Sequence, residues 1–154
     1  MSRVQLALNV EDLDAAVAFY TTLFATQPAK RRPGYANFAV ADPPLKLVLI
    51  ENPGQGGSLN HLGIEVESAD DVDAEQRRLT AAGLASTDER GTTCCYATQD
   101  KFWVEPTPDG ERWEIYTVLA DSQTFAEPTA EGQTCCGVEV SAEPAAAATP
   151  ANCC

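Results

Sequence analysis

Apolar and polar positions along the first 120 residues follow two rhythms, and the rhythms occur in the same order twice. Val4-Gln5-Leu6-Ala7-Leu8-Asn9-Val10 has the two-residue period of a half-buried strand. Glu11 and Asp12 then mark a helix start. From Leu13 to Phe24 the apolar residues fall at Leu13, Ala16, Val17, Phe19, Tyr20, Leu23 and Phe24, which is helical spacing with a wide apolar face. Thr26 to Arg32 reads as a short strand ended by Pro33-Gly34. Tyr35 to Val40 alternates as a strand, Asp42-Pro43-Pro44 turns, Leu45 to Glu51 is a strongly apolar strand, and Asn52 to Ser58 is a Gly-rich loop.

The order then restarts. Leu59 to Val66 predicts a strand. Ser68 to Ala82 predicts a helix, with Ser68 or Asp70 as N-cap and Gly83 at its C-terminal end. Leu84 to Glu89 reads as a short strand. Cys94 to Thr98 and Lys101 to Glu105 read as a hairpin around Gln99-Asp100, so the cysteines stand where a strand begins. Pro106 to Glu111 turns, and Arg112 to Leu119 forms the last strand. Each half is strand–helix–three strands, an α+β arrangement with an internal repeat. Val4 to Val10 lays over Asn60 to Val66 without a gap, and Lys46 to Glu51 lays over Arg112 to Thr117.

The repeat predicts a meeting point. Gln5 matches His61, and Val48 matches Glu114. If a pseudo-two-fold axis relates the halves, these four positions converge on it. A glutamine amide oxygen, an imidazole nitrogen and a carboxylate can each ligate a metal, and valine cannot. Gln5, His61 and Glu114 therefore form a three-ligand face with open positions, the form taken by catalytic rather than structural metals. It is like the 2-His-1-carboxylate triad of non-heme iron oxygenases with glutamine in place of one histidine. His61 is the single histidine of the chain.

Composition changes this picture in three ways. The 154 residues carry a net charge of −13, which excludes the basic footprint that nucleic acid requires. Five of the 23 acids lie from Ala120 onward with no Lys or Arg, so a domain over residues 1–120 is followed by an acidic, Ala/Pro-rich tail over 121–154, expected to be disordered. No apolar run approaches the ~20 residues of a membrane span, and the N-terminus lacks a signal-peptide pattern, so a cytoplasmic protein is expected. The six cysteines form three vicinal pairs, Cys94-Cys95, Cys135-Cys136 and Cys153-Cys154. Neighbouring cysteines make poor cross-links, and in a reducing compartment they are expected as free thiols that chelate soft ions such as Cd(II), Zn(II), Cu(I) or trivalent arsenic.

Two strand–helix–three-strand modules with convergent ligands resemble the vicinal oxygen chelate superfamily, which includes glyoxalase I, extradiol dioxygenases and bleomycin- and fosfomycin-resistance proteins. The segments beginning Met1-Ser-Arg-Val-Gln-Leu, Arg32-Pro-Gly-Tyr-Ala-Asn, Pro43-Pro-Leu-Lys-Leu-Val and Cys94-Cys-Tyr-Ala-Thr-Gln resemble its branch of carbon–arsenic lyases and cadmium-induced proteins. The resemblance implies two βαβββ modules, about 1–55 and 56–120. It implies an Fe(II)-dependent dioxygenase, other divalent metals serving in vitro, that uses O2 to cleave the carbon–arsenic bond of trivalent organoarsenicals to arsenite. Gln5, His61 and Glu114 would be its metal ligands and Cys94 and Cys95 its substrate thiols. Cys135, Cys136, Cys153 and Cys154 would be accessory. Monomer and homodimer stay open, as does pairing of modules between chains. The alternative is a resistance protein that binds cadmium or arsenite without turnover. A third reading is another activity of the superfamily, such as a glyoxalase-like isomerase or a drug-binding protein.

Overall fold

Each helix begins where a short polar side chain satisfies a backbone amide that the helix cannot. Asp12 accepts from Ala15 N at 2.9 Å, and Ser68 accepts from Asp71 N at 3.2 Å. The computed structural model describes residues 2–84, 86–105 and 107–126. In order the elements are β1 (Arg3–Val10), α1 (Leu13–Phe24), β2 (Lys30–Arg32), β3 (Tyr35–Val40), β4 (Leu45–Glu51), β5 (Leu59–Glu65), α2 (Ala69–Ala81), β6 (Ser86–Cys94), β7 (Ala97–Val104) and β8 (Trp113–Asp121). The segment Thr26 to Arg32 is a strand only over its last three residues. The tail cysteines and nearly all of the predicted tail lie outside the described residues.

The strands form one sheet in the order β2-β3-β4-β1-β5-β8-β7-β6. That order reads the same from either end once the two halves are exchanged. β1 pairs with β4 in parallel, β5 with β8 in parallel, and the halves join where β1 and β5 run antiparallel. The expected two-module α+β fold is therefore present within one chain.

The two faces of the sheet carry different chemistry, because successive strand residues point to opposite sides. One face is apolar and packs on the helices. Phe38, Leu47 and Leu49 bury against Leu13 and Val17 of α1, and Phe102 and Ile115 bury against Val72 of α2. Side chains of this size contribute about 1.5–3 kcal/mol each on full burial. The other face buries Gln5, Lys46, His61, Lys101 and Glu114. It becomes an interior because the sheet curls: Tyr35 at one end meets Tyr96 at the other, ring centroids 5.5 Å apart. Tyr96 Oη also donates to Pro33 O at 2.9 Å, and Lys30 Nζ donates to Tyr96 O at 3.0 Å.

The hairpin differs from the sequence expectation. Cys94 ends β6, Ala97 begins β7, and the loop between them is Cys95-Tyr96. Both loop residues have positive φ, 54° and 60°, as a two-residue type I′ turn requires. Such turns favour Asn-Gly, so neither Cys nor Tyr advertises one. Gln99 and Asp100 lie inside β7 instead.

Leu49→Ala should lower the unfolding free energy by about 2–5 kcal/mol in urea denaturation. Phe19→Ser, on the 60% exposed outer side of α1, should stay within about 0.5 kcal/mol of wild type.

Candidate metal centre and thiol turn

The seam between β1 and β5 sets the geometry. Across it Ala7 pairs with His61 and Gln5 pairs with Gly63, and Gly63 in turn pairs with Glu114 of β8. Paired residues share a face, so the three expected ligands stand around two small residues, Ala7 and Gly63. A methyl group added at Gly63 would lie 3.2 Å from Glu114 Cγ and 3.3 Å from Gln5 Cβ. The small residue lets the two side chains close.

They close tightly. Gln5 Nε2 is 3.0 Å from His61 Nε2 and 2.8 Å from Glu114 Oε1, and His61 Nε2 is 3.2 Å from Glu114 Oε1. Metal–donor bonds of about 2.1 Å at right angles place neighbouring donors about 3.0 Å apart, so the three side chains fit one face of an octahedral ion. Among the described residues no three His, Cys, Asp or Glu side chains gather for a metal, and the centre exists only when glutamine is counted. Gln5 turns its amide nitrogen toward the other two. A half-turn of the amide puts Oε1 there, and Tyr116 tolerates both settings. Its hydroxyl donates to Gln5 Oε1 at 2.5 Å and can equally accept from an N–H.

The electrostatics keep Glu114 ionised. Burial pushes its pKa upward, but Lys101 Nζ, at 3.0 Å from Oε2, and then His61 outweigh burial and hold it well below the carboxylate range. Lys101 is itself fully buried, 3.6 Å from Glu89 Oε2 and 4.5 Å above the Trp103 ring. With Oε2 bound to Lys101, Oε1 is the oxygen that faces Gln5 and His61. His61 packs edge-on against Trp103, and its Nδ1 lies 2.7 Å from Asn60 Oδ1.

The thiol turn reaches the same space. A cavity of about 180 Å3 is lined by Gln5, Glu114, Tyr35, Lys46, Gln99 and Cys95, among others. Cys94 is 2% exposed, in a cluster with Ala7, Val48 and Tyr35. Its Sγ is 3.6 Å from Cys95 Sγ, within reach of a soft ion that bonds each sulfur at about 2.3 Å. The expectation of a free thiol fails at Cys94, which is disulfide-bonded, and a separation of 3.6 Å excludes Cys95 as its partner. Thiolate chemistry at Cys94 therefore requires prior reduction.

Residues 3–115 match the family model described as the glyoxalase/bleomycin resistance protein/dioxygenase superfamily. The chain belongs to that superfamily. Within it the chain is similar to the cadmium-induced protein CadI of Mycobacterium tuberculosis (strain ATCC 25618 / H37Rv), at 64% identity over 147 residues, 91% of this chain and 96% of the relative. It is also similar to the trivalent organoarsenical cleaving enzyme of Thermomonospora curvata, at 54% identity over the whole of both chains. The fold matches the Mn(II)-bound glyoxalase from Novosphingobium aromaticivorans with a TM-score of 0.54 at 22% identity, covering 84% of this chain and 44% of that one.

The structure of this superfamily member brings the expected Gln5, His61 and Glu114 together, and the groups that hold them, Lys101, Tyr116 and Asn60, were not named from the sequence. A lysine beside Phe102-Trp103 in an alternating strand was a usable signal for Lys101, since a charge facing inward needs a partner. Lys101→Met should lower stability by about 3–5 kcal/mol in urea denaturation of the metal-free protein, because Glu114 would be left buried without the lysine charge on Oε2.

Proposed function

We propose that this protein is an Fe(II)-dependent dioxygenase that cleaves the carbon–arsenic bond of trivalent organoarsenicals to arsenite. One observation carries the reading: Cys95 lines the same cavity as Gln5 and Glu114, so a group gripped by the thiol turn lies beside the ligand face. The relative in Thermomonospora curvata, named for cleaving trivalent organoarsenicals, supports the substrate class.

The residues divide the work. Reduced Cys94 and Cys95 bind arsenic as a soft centre and direct its organic substituent into the cavity, which is catalysis by positioning. Gln5, His61 and Glu114 would hold Fe(II), which when bound supplies the redox chemistry toward O2. Lys101 holds Glu114 ionised with one oxygen turned to the site, and the buried setting limits water. For a methyl substituent the atoms balance as methylarsonous acid plus O2 giving arsenous acid plus formaldehyde. The protein works in the cytoplasm, on a domain over residues 1–120, with the tail thiols as accessories.

Reduced, Fe(II)-loaded protein should release arsenite from a methyl- or phenyl-arsenical only when air is admitted. His61→Ala and Cys94→Ser should each abolish that release, and arsenite formed without oxygen would sink the dioxygenase. Gly63→Ala should weaken Co(II) binding in an absorbance titration, because the added methyl would press on Glu114 Cγ and Gln5 Cβ.

The similarity to a cadmium-induced protein and the adjacency of two sulfurs favour a second reading, sequestration of Cd(II) or arsenite without turnover. Stoichiometric soft-ion binding that survives His61→Ala, with no arsenite formed by wild type, would select it.

A further inference from the structure

We infer that Asn60 locks His61 in the tautomer that carries its proton on Nδ1, through a hydrogen-bond chain whose direction is set by the Gly-rich loop after β4. The inference rests on the metal-site reading of Gln5, His61 and Glu114 and adds a positioning residue to it.

Neighbouring strand residues point to opposite faces, so Asn60 should not reach His61. It does so because the strand pairing slips there. Ala7 pairs with His61, but Leu8 pairs with Leu59, which leaves Asn60 as the extra residue of a β-bulge. Bulges re-aim side chains in this way. The Asn60 carboxamide lies with Oδ1 2.7 Å from His61 Nδ1 and Nδ2 2.9 Å from Asn9 Oδ1.

The chain has one consistent direction. Its far end is the backbone carbonyl of Gln55, which can only accept. Ser58 Oγ must therefore donate to it, at 2.7 Å. The Ser58 proton is then spent, so Asn9 must present Nδ2 to Ser58 Oγ, at 2.9 Å. That turns Asn9 Oδ1 toward Asn60 and toward Asn52 Nδ2, 3.3 Å away. Asn60 must donate to Asn9 with Nδ2, and its Oδ1 is left facing the imidazole. Only a proton on His61 Nδ1 satisfies that oxygen. His61 Nε2 then carries the lone pair, and Nε2 is the nitrogen that faces Gln5 and Glu114. Reversing the tautomer would set lone pair against lone pair at one link or another down to Gln55. His61 and Asn9 are 1% and 6% exposed, so water is poorly placed to repair such a mismatch. Metal-bound histidines generally donate their other ring N–H to an acceptor, and that acceptor fixes the ring. Here the acceptor is a carboxamide whose own orientation is dictated three groups away.

His61 is the single histidine, so labelling with 15N-histidine reports on one imidazole. Metal-free wild type should show the Nδ1–H tautomer. Asn60→Leu should lose that preference and raise the Co(II) dissociation constant about ten-fold. Asn60→Asp, which keeps an acceptor for the imidazole but loses the donor to Asn9, should retain the Nδ1–H tautomer. Ser58→Ala removes the direction-setting hydroxyl away from the metal and should admit a second, Nε2–H population, which keeps the idea testable if Asn60→Leu does not fold. An Nε2–H tautomer in wild type, or wild-type tautomer and Co(II) affinity in Asn60→Leu, would overturn the inference, as would an unchanged tautomer in Ser58→Ala. Wild type that shows the Nδ1–H tautomer but binds no Co(II) or Fe(II) would instead defeat the metal reading.

Discussion

Everything at the centre of this protein depends on one crowded crossing. Where β1 and β5 pass antiparallel, two halves of the chain bring a carboxamide, an imidazole and a carboxylate within 3.2 Å of one another. Polar groups so close in a buried place repel or leave bonds unmade unless each has a partner behind it. Tyr116 stands behind Gln5, Asn60 behind His61 and Lys101 behind Glu114. The seam itself must be thin, which Ala7 and Gly63 provide. The helices, the outer core and the curl of the sheet all serve to keep that crossing closed.

The sequence made much of this legible, because the features that bring Gln5, His61 and Glu114 together are periodic. The bounds of α1, β3 and β4 follow from apolar spacing alone, and the register that overlays Gln5 on His61 and Val48 on Glu114 is the register of the sheet. Symmetry converts alternation into convergence, so the meeting of these three side chains could be expected without coordinates. What stayed hidden depends on departures from periodicity. The bulge at Asn60 adds one residue to one strand, and no pattern of apolar positions records it. The turn at Cys95-Tyr96 uses positive φ at residues that do not favour it, so the chain's own turn cue, Gln99-Asp100, pointed four residues too far along. The disulfide state of Cys94 could not be read from spacing either.

The two unfavourable loop conformations carry side chains with a part in the site's surroundings. Left-handed backbone costs roughly 1–2 kcal/mol per non-glycine residue, and glycine or asparagine would relieve it. A thiol and a phenol stand there instead. The phenol fastens the turn to the first hairpin, and the thiol looks into the cavity. Strain of this kind gathers at functional positions, held in place by surrounding contacts.

Those contacts join the two ends of the sheet, and their meaning goes beyond stability. Tyr96 to Pro33, Lys30 to Tyr96 and the tilted ring contact of Tyr35 with Tyr96 are the clasp that brings the sulfur pair toward the cavity lined by Gln5 and Glu114. The thiols belong to the second module, and each clasp contact joins Tyr96 of that module to the first. On the proposed function, a descendant that lost the clasp would keep two adjacent sulfurs but not their place beside Gln5 and Glu114. On that reading, binding of a soft element and cleavage of its bond to carbon would differ by three contacts at the rim of one sheet.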